Sequence, residues 1–334
     1  MDKVLVTGAS GFIGKTLVPY LLEQGYQVRC FVRLTSDTTY LKTLGVELVF
    51  GDLSDKVSLR SAMNRVDSVY HLAGQIYSSA KETYDEVNAK GTANVLEAAC
   101  QQKRPPVVLS VSSLAAAGPR KNGEKPTEAS PTQPVSQYGE SKRESENQLR
   151  KFADRVPISV VRPPLVFGAG DTATMPIFKS VKTGIHAAVG KNTQFTLVYV
   201  NDLVRLMVEI VTKGERLTSV DNHDGKGLYF AGYHDSISWE QLGEWIAEAM
   251  GRSKPWIVRI PGPVLKLVGA LSEVLSSITN KPMVLSRDKA REGTGGHWVC
   301  DVKKGHDQFE FTPEKSLKEA LSDTVIGYRE LGLL

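Results

Sequence analysis

The chain contains 334 residues, of which 41% are hydrophobic and 23% are charged, and its 41 Lys and Arg against 37 Asp and Glu leave a formal charge of +4. These proportions exclude a largely disordered chain, and so small a net charge gives no indication of nucleic-acid binding. The three cysteines, Cys30, Cys100 and Cys300, are far apart in the sequence. Their number and spacing predict free thiols in a reducing compartment rather than a disulfide framework.

Neither a targeting signal nor a membrane span is predicted. Asp2 and Lys3 lead directly into an apolar run, which leaves no room for a charged region followed by a long apolar one. The most apolar longer segment, residues 264–278, is interrupted by Lys266 and Glu273, so it falls short of the about 18 apolar residues of a spanning helix. The sequence therefore predicts a cytoplasmic protein.

Short apolar runs alternate with helical patterns through the first half of the chain. Strands are predicted at residues 3–7, 27–32, 46–51, 68–72, 107–112 and 158–162, and helices at residues 14–24, 57–65, 84–101 and 138–152. Strands separated by helices form right-handed crossovers between parallel neighbours. The pattern therefore predicts an α/β fold with a doubly wound parallel sheet, the Rossmann fold, covered by helices on both faces.

In the second half of the chain, strand and helix patterns no longer alternate regularly. Helical patterns at residues 175–183, 202–212, 239–250 and 264–278 are joined by pieces rich in glycine and proline. We predict a dinucleotide-binding domain over residues 1–170 and a smaller C-terminal cap domain over residues 171–334 that binds the substrate. Residues 197–235 are expected to fold back onto the first domain. The long polar loop at residues 118–137 is expected to be functional, because structureless loops of that length are uncommon in compact domains.

A glycine-rich turn follows the first strand, where residues 7–14 form the sequence TGASGFIG. Glycine lets the backbone approach a pyrophosphate, which binds the free N–H groups at a helix N-terminus. The spacing differs from the general G-x-G-x-x-G fingerprint, but the strand before it and the helix after it fit the same use. The cofactor-binding residues predicted here are Gly8, Ser10, Gly11, Phe12, Ile13 and Gly14.

The end of the second strand indicates which dinucleotide is bound. An acid at this point would accept a hydrogen bond from the ribose 2′-hydroxyl of NAD, but no acid occurs before Asp37. Arg33 can instead pair with the 2′-phosphate of NADP, unless it is merely a solvated arginine at a strand end. NADP is therefore the preferred cofactor and NAD the alternative. Asp52, after the third strand, is placed to meet the adenine, or else belongs to a helix N-cap region.

Tyr138 and Lys142 are four residues apart on a predicted helix and hence on one face. A phenol has a pKa near ~10, and a neighbouring ammonium group lowers it toward the range of a useful acid or base. Such a pair is suited to proton exchange with a substrate hydroxyl or carbonyl. Ser113, at the carboxyl end of the preceding strand, is predicted to donate to the developing oxyanion, with Ser112 as the weaker alternative.

The motifs extend along about half of the chain in a fixed order. They are TGASGFIG at residues 7–14, GDL at 51–53, HLAG at 71–74, NAKGT at 88–92, SS at 112–113, the Tyr138-x3-Lys142 pair and RPPLVFG at 162–168. As a set they resemble the motifs of extended short-chain dehydrogenases/reductases, the NAD(P)-dependent epimerase/dehydratase group. The resemblance implies that Tyr138 is the acid/base, Lys142 its activator and a ribose ligand, and Ser113 the carbonyl-polarising hydroxyl. It also implies that Asn88 supports the proton relay. The cofactor wall that it implies comprises Leu53, Leu72, Ala73, Gly74, Pro163 and Val166.

The substrate is less well indicated. Relatives that act on nucleotide sugars place an arginine, which holds the diphosphate, at the position that Phe195 occupies here, and no basic residue lies between Lys191 and Asp202. Residues 28–33, 77–79, 261–278 and 298–301 are instead similar to the 3β-hydroxysteroid dehydrogenase-like and dihydroflavonol reductase-like branch. Tyr77, His186 and Phe195 are the weak substrate-pocket candidates. No histidine has metal-ligand spacing with the cysteines, so no metal site is predicted.

The predicted function is that of an NAD(P)-dependent oxidoreductase, a dehydrogenase or reductase of a steroid-, isoprenoid- or flavonoid-like alcohol or ketone. One alternative is a nucleotide-sugar epimerase or dehydratase, and another is a non-catalytic regulator that senses NADP. The resemblance further implies a homodimer formed by the helices at residues 84–101 and 138–152. Residues 264–278 are predicted to be core of the cap, with peripheral association at an anionic membrane surface, aided by Lys266 and Arg259, as the alternative.

Overall fold

A parallel β-sheet forms the centre of the molecule in this computed structural model, which describes residues 2–76, 81–121, 123–190, 192–220, 224–279 and 287–334. The strands in chain order are β1 (Lys3–Thr7), β2 (Gln27–Val32), β3 (Glu47–Phe50), β4 (Ser68–His71), β5 (Val107–Val111), β6 (Ile158–Arg162), β7 (Leu165–Phe167), β8 (Ile185–Val189), β9 (Gln194–Phe195), β10 (Leu197–Tyr199), β11 (Leu228–Phe230), β12 (Ile237–Ser238) and β13 (Trp256–Ile260). Seven of them form the central sheet in the order β11-β6-β5-β4-β1-β2-β3.

Helices of very different lengths connect these strands. In chain order they are α1 (Phe12–Glu23), α2 (Thr39–Thr43), α3 (Lys56–Ala62), α4 (Lys81–Tyr84), α5 (Gly91–Cys100), α6 (Leu114–Ala117), α7 (Gln137–Arg150), α8 (Met175–Lys182), α9 (Val200–Lys213), α10 (Trp239–Ala249), α11 (Gly262–Thr279), α12 (Arg287–Thr294), α13 (Lys303–Phe309) and α14 (Leu317–Glu330). A π-helical segment, Asp85–Lys90, lies between α4 and α5. None of the helices within the described ranges is both long enough and apolar enough to cross a bilayer.

The central sheet is buried on both faces, which confirms the predicted doubly wound α/β fold. Val4, Leu5 and Val6 of β1 are fully buried, and β1 pairs in parallel with both β2 and β4. Val6 packs in the core on the face covered by α1 and α9, and Leu5 packs on the opposite face with residues of α3 and α5. The strand order reverses beside β1, so the crevice for a ligand lies at the carboxyl ends of β1 and β4.

The observed elements differ from the predicted ones in several places. The helix predicted at residues 57–65 ends at Ala62, and Arg65 beyond it adopts a left-handed backbone conformation with φ 57°. The helix predicted at residues 84–101 contains the π-helical segment. The edge strand β11 was not predicted, because its three residues are too few to show a period and its position depends on pairing with β6.

The second half of the chain contributes to two layers. From residues 197–235, α9 packs on the central sheet and β11 extends it. A separate apolar core contains residues of α8, α10 and α14, including Phe178, Ile246 and Tyr328. Strands β8 and β13 form a parallel two-stranded ribbon, while α11 packs against α12. These elements cover the carboxyl edge of the sheet on one side of the crevice.

Candidate active site

A cavity of about 1340 Å³ runs along the carboxyl edge of the central sheet. One end is formed by the turn after β1 and the ends of β2 and β3, and the other by side chains of the cap. Tyr138, Lys142 and Ser113 line its middle. The fold therefore brings the predicted cofactor turn and the predicted proton-transfer residues to one continuous cavity.

The glycine-rich turn leaves room for a ligand close to the backbone. Gly8 has φ +72°, and a Cβ there would lie 2.7 Å from the backbone nitrogen of Ala73. A Cβ at Gly14 would lie 2.5 Å from the carbonyl oxygen of Gly8, so neither position admits a side chain. Gly11 caps α1 without a side-chain hydrogen bond, which leaves the first N–H groups of the helix available to an anion. All six residues predicted for this turn, from Gly8 to Gly14 without Ala9, line the cavity.

The remaining wall fits the rest of a dinucleotide. Lining residues predicted from the resemblance are Leu53, Leu72, Ala73, Gly74, Pro163 and Val166. A Cβ at Gly74 would lie 3.0 Å from Asn88 Oδ1 and 3.1 Å from Lys142 Nζ. The absence of a side chain at Gly74 therefore lets the polar ends of Asn88 and Lys142 approach the backbone here. Backbone donors, apolar faces and a glycine cradle in one elongated cavity are the features that a nicotinamide dinucleotide requires.

Arg33 and Asp52 lie at the end of the cavity formed by β2 and β3. Asp52 Oδ1 accepts hydrogen bonds from the Ser54 backbone nitrogen at 2.9 Å and from its hydroxyl at 2.8 Å. These bonds, together with the charge of Arg33, lower the pKa of Asp52. The first acid after Arg33 in the sequence is Asp37. Its carboxylate accepts a hydrogen bond from the Thr39 backbone nitrogen, and Asp37 is not part of the cavity wall. Arg33 and Ser36 are thus the polar side chains after β2 that face the cavity.

Tyr138 lies in the first turn of α7, which begins at Gln137 after the N-cap Ser136. Burial raises the pKa of Tyr138 to about 12, opposed first by the positive charge of Lys289 and then by a hydrogen bond from Ser113. The Lys289 nitrogen lies 5.2 Å from the centroid of the Tyr138 ring. The phenol is therefore held in its protonated form at neutral pH.

Lys142 is buried in the wall of the same cavity. Its Nζ donates to the carbonyl oxygen of Val111 at 3.0 Å, and burial lowers its pKa to about 8, opposed by the carboxylate of Glu146. The positive charge that lowers the pKa of Tyr138 most in this structure is that of Lys289. The role expected of Lys142, to activate the phenol and to bind the ribose, remains a prediction.

Asn88 lies in the π-helical segment, behind the cavity wall rather than in it. Its Oδ1 accepts from the Gln75 backbone nitrogen at 2.7 Å, while its Nδ2 donates to the Gln75 carbonyl oxygen and to Ser141 Oγ at 2.9 Å. The side chain thus ties the loop after β4 to α7. Single-turn π-helices are frequent where a side chain must be placed for function.

The cap supplies an aromatic wall to the other end of the cavity. Phe195, Trp239 and Trp298 line it, and the rings of Phe195 and Trp239 meet edge to face at 4.3 Å between centroids. His186 does not line the cavity, since it is 1% exposed and its Nε2 is hydrogen-bonded to the Trp239 carbonyl oxygen. The prediction of His186 as a substrate residue is therefore corrected to a packing role. Tyr77 lies outside the described residues.

Helix α12 was not predicted from the sequence, yet it contacts the first turn of α7 directly. Asp288 accepts hydrogen bonds from the backbone nitrogens of Gln137 at 2.7 Å and Tyr138 at 3.3 Å. Glu292 accepts from the Ser136 hydroxyl at 2.7 Å and pairs with Lys289 at 2.7 Å. The only local signal was a run of charged residues at helical spacing. In the part of the chain that the structure describes, no group of acids, histidines and cysteines could hold a metal ion.

The chain is similar to several known proteins. Residues 4–221 match the sequence model of the NAD dependent epimerase/dehydratase family. A ceramide reductase from Caulobacter vibrioides is 30% identical over 333 residues, which cover 99% of this chain and 96% of that protein. The sterol demethylase protein B of Methylococcus capsulatus is 29% identical over 280 residues, or 81% of each chain. The structure of UDP-glucose 4-epimerase with NAD from Thermus thermophilus shares the fold, with a TM-score of 0.77 at 23% identity over 98% of this chain and 99% of that one.

Proposed function

The chain belongs to the NAD dependent epimerase/dehydratase family and is an NAD(P)-dependent enzyme. We propose that it interconverts a secondary alcohol and a ketone on an apolar, lipid-like substrate. The preferred cofactor in this proposal is NADP. The observation that carries this proposal is the aromatic wall of Phe195, Trp239 and Trp298 beside Tyr138. Aromatic side chains bury large apolar areas and favour a hydrophobic substrate.

The charges on the cap side of the cavity support the same conclusion. A nucleotide diphosphate is held by charge-assisted hydrogen bonds, usually from arginine. Among the described lining residues contributed by the cap, the one cation is Lys289, and it is paired with Glu292. An apolar molecule with a single oxygen function suits this surface better than a diphosphate does. The names of the ceramide reductase and the sterol demethylase protein also refer to lipids.

The proton-transfer residues can support reduction of a ketone. A nicotinamide dinucleotide held along the glycine turn and the wall of Leu72, Ala73 and Pro163 would supply the hydride for the substrate carbon. Tyr138 holds a proton on its phenol oxygen at neutral pH and donates it to the carbonyl oxygen as negative charge develops there. The Ser113 hydroxyl, which lines the same part of the cavity, donates a second hydrogen bond to that oxygen. The aromatic wall excludes water from the reacting atoms.

The preference for NADP rests on the polar side chains that follow β2. Arg33 and Ser36 both line the cavity, whereas Asp37 is engaged by Thr39. A guanidinium binds a phosphate with two parallel hydrogen bonds, and a hydroxyl adds a third donor. We therefore propose that the 2′-phosphate of NADP binds between Arg33 and Ser36.

The proposal is tested by following the absorbance of NADPH and NADH with 3-ketosteroids, long-chain amide-bearing ketones and nucleotide sugars. Net oxidation of NADPH by a lipid-like ketone is the expected result. A new product from a nucleotide sugar without net change in the cofactor would instead identify an epimerase. Tyr138→Phe should abolish turnover while cofactor binding, measured by protein fluorescence, is retained. Unchanged turnover in this variant would contradict the assigned role of Tyr138.

We further propose a homodimer in which α7 and the helix formed by α4, the π-helical segment and α5 pack against their copies. These elements lie side by side on one face of the sheet, and Arg143 and Asn147 of α7 point outward as exposed residues. Light scattering during size-exclusion chromatography measures the mass directly. A mass of one chain at micromolar concentration would contradict the proposal.

A further inference from the structure

The ribbon formed by β8 and β13 presents an apolar face to solvent. Its parallel register places Ile185 beside Trp256 and Ala187 beside Val258, so these four side chains share one face. Ile185 is 43% exposed, Trp256 75% and Val258 39%, whereas His186 and Ala188 on the opposite face are buried. An exposed tryptophan within an apolar surface is unusual for a protein face that meets only water.

A second group of exposed apolar side chains lies on α11, which follows β13 directly in the chain. Val264, Leu267 and Val268 are all exposed and lie at helical spacing on one side of this helix. Six of the fourteen large hydrophobic side chains that are exposed among the described residues therefore belong to the ribbon and α11. We call the surface of Ile185, Ala187, Trp256, Val258, Val264, Leu267 and Val268 the ribbon face.

Basic residues border the ribbon face at the end where its two strands begin. Lys182 ends α8 just before β8, and Arg252 and Lys254 precede β13. All three side chains are exposed, and Glu244 pairs with Lys254. An apolar surface with a basic border complements a bilayer of anionic phospholipids, in which the phosphates surround the acyl chains. Tryptophan is the side chain that membrane interfaces favour.

The elements that carry the ribbon face also reach the cavity wall. Gly293 of α12 lines the cavity, and a Cβ at this glycine would lie 2.9 Å from Leu265 of α11 and 3.8 Å from Val189 of β8. The end of the ribbon and the start of α11 thus meet α12 at the cavity wall. A surface resting on lipid would bring this wall close to the acyl region of the bilayer.

We propose that the ribbon face docks on the surface of a bilayer that contains anionic phospholipid. A second copy of the chain is the alternative occupant, and the experiments below distinguish it from a bilayer. The apolar side chains enter the boundary between headgroups and acyl chains, while Lys182, Arg252 and Lys254 contact the phosphates. The proposal concerns a binding surface and is independent of the reaction assigned above.

Flotation with vesicles of phosphatidylcholine, with or without phosphatidylglycerol, tests the proposal. The protein should float with the anionic vesicles, and the double variant Trp256→Ser/Leu267→Ser should lower the bound fraction roughly tenfold, since each removed side chain loses its apolar burial in the bilayer. The matched control Val57→Ser/Ile326→Ser, which removes two exposed apolar side chains elsewhere, should bind as the parent does. Lys182→Glu/Arg252→Glu should weaken binding to anionic vesicles and abolish its dependence on phosphatidylglycerol.

A fluorescence measurement provides a second readout that requires no enzymatic turnover. Lipids brominated on their acyl chains should quench the parent protein, and Trp256→Phe should remove that quenching. Absence of flotation with anionic vesicles would overturn the proposal, as would equal binding by the ribbon-face and control variants. A dimer that dissociates on Trp256→Ser/Leu267→Ser, without vesicle binding, would assign the face to a second copy of the chain instead.

Discussion

Two charged residues of α12 act on the phenol of Tyr138 in opposite directions. The cation of Lys289 lowers the pKa of Tyr138, whereas the carboxylate of Glu292 raises it, and burial outweighs both. The balance keeps a proton on the phenol oxygen at neutral pH, which suits the reduction of a ketone. In the reverse reaction Tyr138 must first lose that proton, so alcohol oxidation should accelerate as the pH rises.

The two residues should therefore move the pH profile in opposite directions. Lys289→Met removes the positive charge that lowers the pKa of Tyr138. The pH at which kcat/KM for alcohol oxidation increases should therefore shift upward by about one unit. Glu292→Gln removes the opposing charge and should shift the rise to lower pH. The pH dependence of kcat/KM with a neutral alcohol measures both. Shifts in the same direction would show that the variants act through structure rather than through charge.

Arg33 offers a test of cofactor choice at a single side chain. Arg33→Ala should lower kcat/KM for NADPH about tenfold to hundredfold, because a charge-assisted phosphate contact contributes about 1.5–3 kcal/mol. The value for NADH should change little, since NAD carries no 2′-phosphate. Lys42→Ala, which removes an exposed cation outside the cavity wall, is the matched control. Equal losses with both cofactors would contradict the proposed phosphate site.

Helix α7 is supported at its first turn by a helix about 150 residues further along the chain. The carboxylate of Asp288 accepts from two backbone nitrogens of α7 that have no partner within the helix. Asp288→Ala should lower the free energy of unfolding by about 1–3 kcal/mol and should also lower kcat, because Tyr138 lies in the same turn. Asp288→Asn keeps one acceptor oxygen and should restore part of both losses. Urea unfolding and steady-state kinetics measure the two effects, and a kcat unaffected by Asp288→Ala would contradict this role.

The sequence predicts those elements whose own residues determine their structure. Strands β1, β2 and β6 were predicted with their observed bounds, since strands buried on both faces are short apolar runs. Helix α12 was missed, because its residues are almost all polar and give no apolar period. Strands β8 and β13 were also missed, because they are stabilised by pairing with each other across about 70 residues of chain. Long-range pairing cannot be inferred from local pattern alone.

In the candidate active site, too, residues with a recognisable local spacing were predicted, whereas residues brought together by long-range contacts were not. The glycine turn, Ser113 and the Tyr138–Lys142 pair carry recognisable local spacing, and all of them line the cavity. Lys289 has no such spacing relative to Tyr138, so only the folded chain shows that the two are neighbours. Helical spacing likewise gave no indication of the carbonyl oxygen of Val111 that Lys142 contacts, and the activating role of Lys142 stays a prediction.

A buried histidine at the end of β4, the middle strand of the sheet, makes the stability of the fold depend on pH. His71 is 3% exposed, and its two ring nitrogens lie 2.8 Å from Thr7 Oγ1 and 3.1 Å from Thr92 Oγ1. Burial, together with the charge of Lys142, lowers the pKa of His71 to about 3. Between pH 6.5 and 3 the unfolded chain therefore binds a proton at this residue that the folded chain does not bind.

His71 should consequently stabilise the fold above pH 6.5 and lose that contribution as the pH falls toward 3. The free energy of unfolding should decrease by about 2 kcal/mol between pH 7 and pH 5 from this residue alone. Urea titrations at the two pH values measure the change in the free energy of unfolding. Burial also lowers the pKa values of His186 and His306, so these residues destabilise the fold at low pH in the same direction. NMR of the imidazole protons isolates His71, and a titration of its signals near pH 6 would refute the account.

The contact between α12 and the first turn of α7 also limits how the chain can be re-engineered. A chimera that takes residues 171–334 from another family member, in order to change specificity, would replace Asp288 and Glu292 along with the substrate-facing wall. It would also replace β11, the edge strand of the central sheet. The halves of this molecule are therefore not interchangeable modules, and a successful graft must carry over the acidic pair that supports α7 and the strand that completes the sheet.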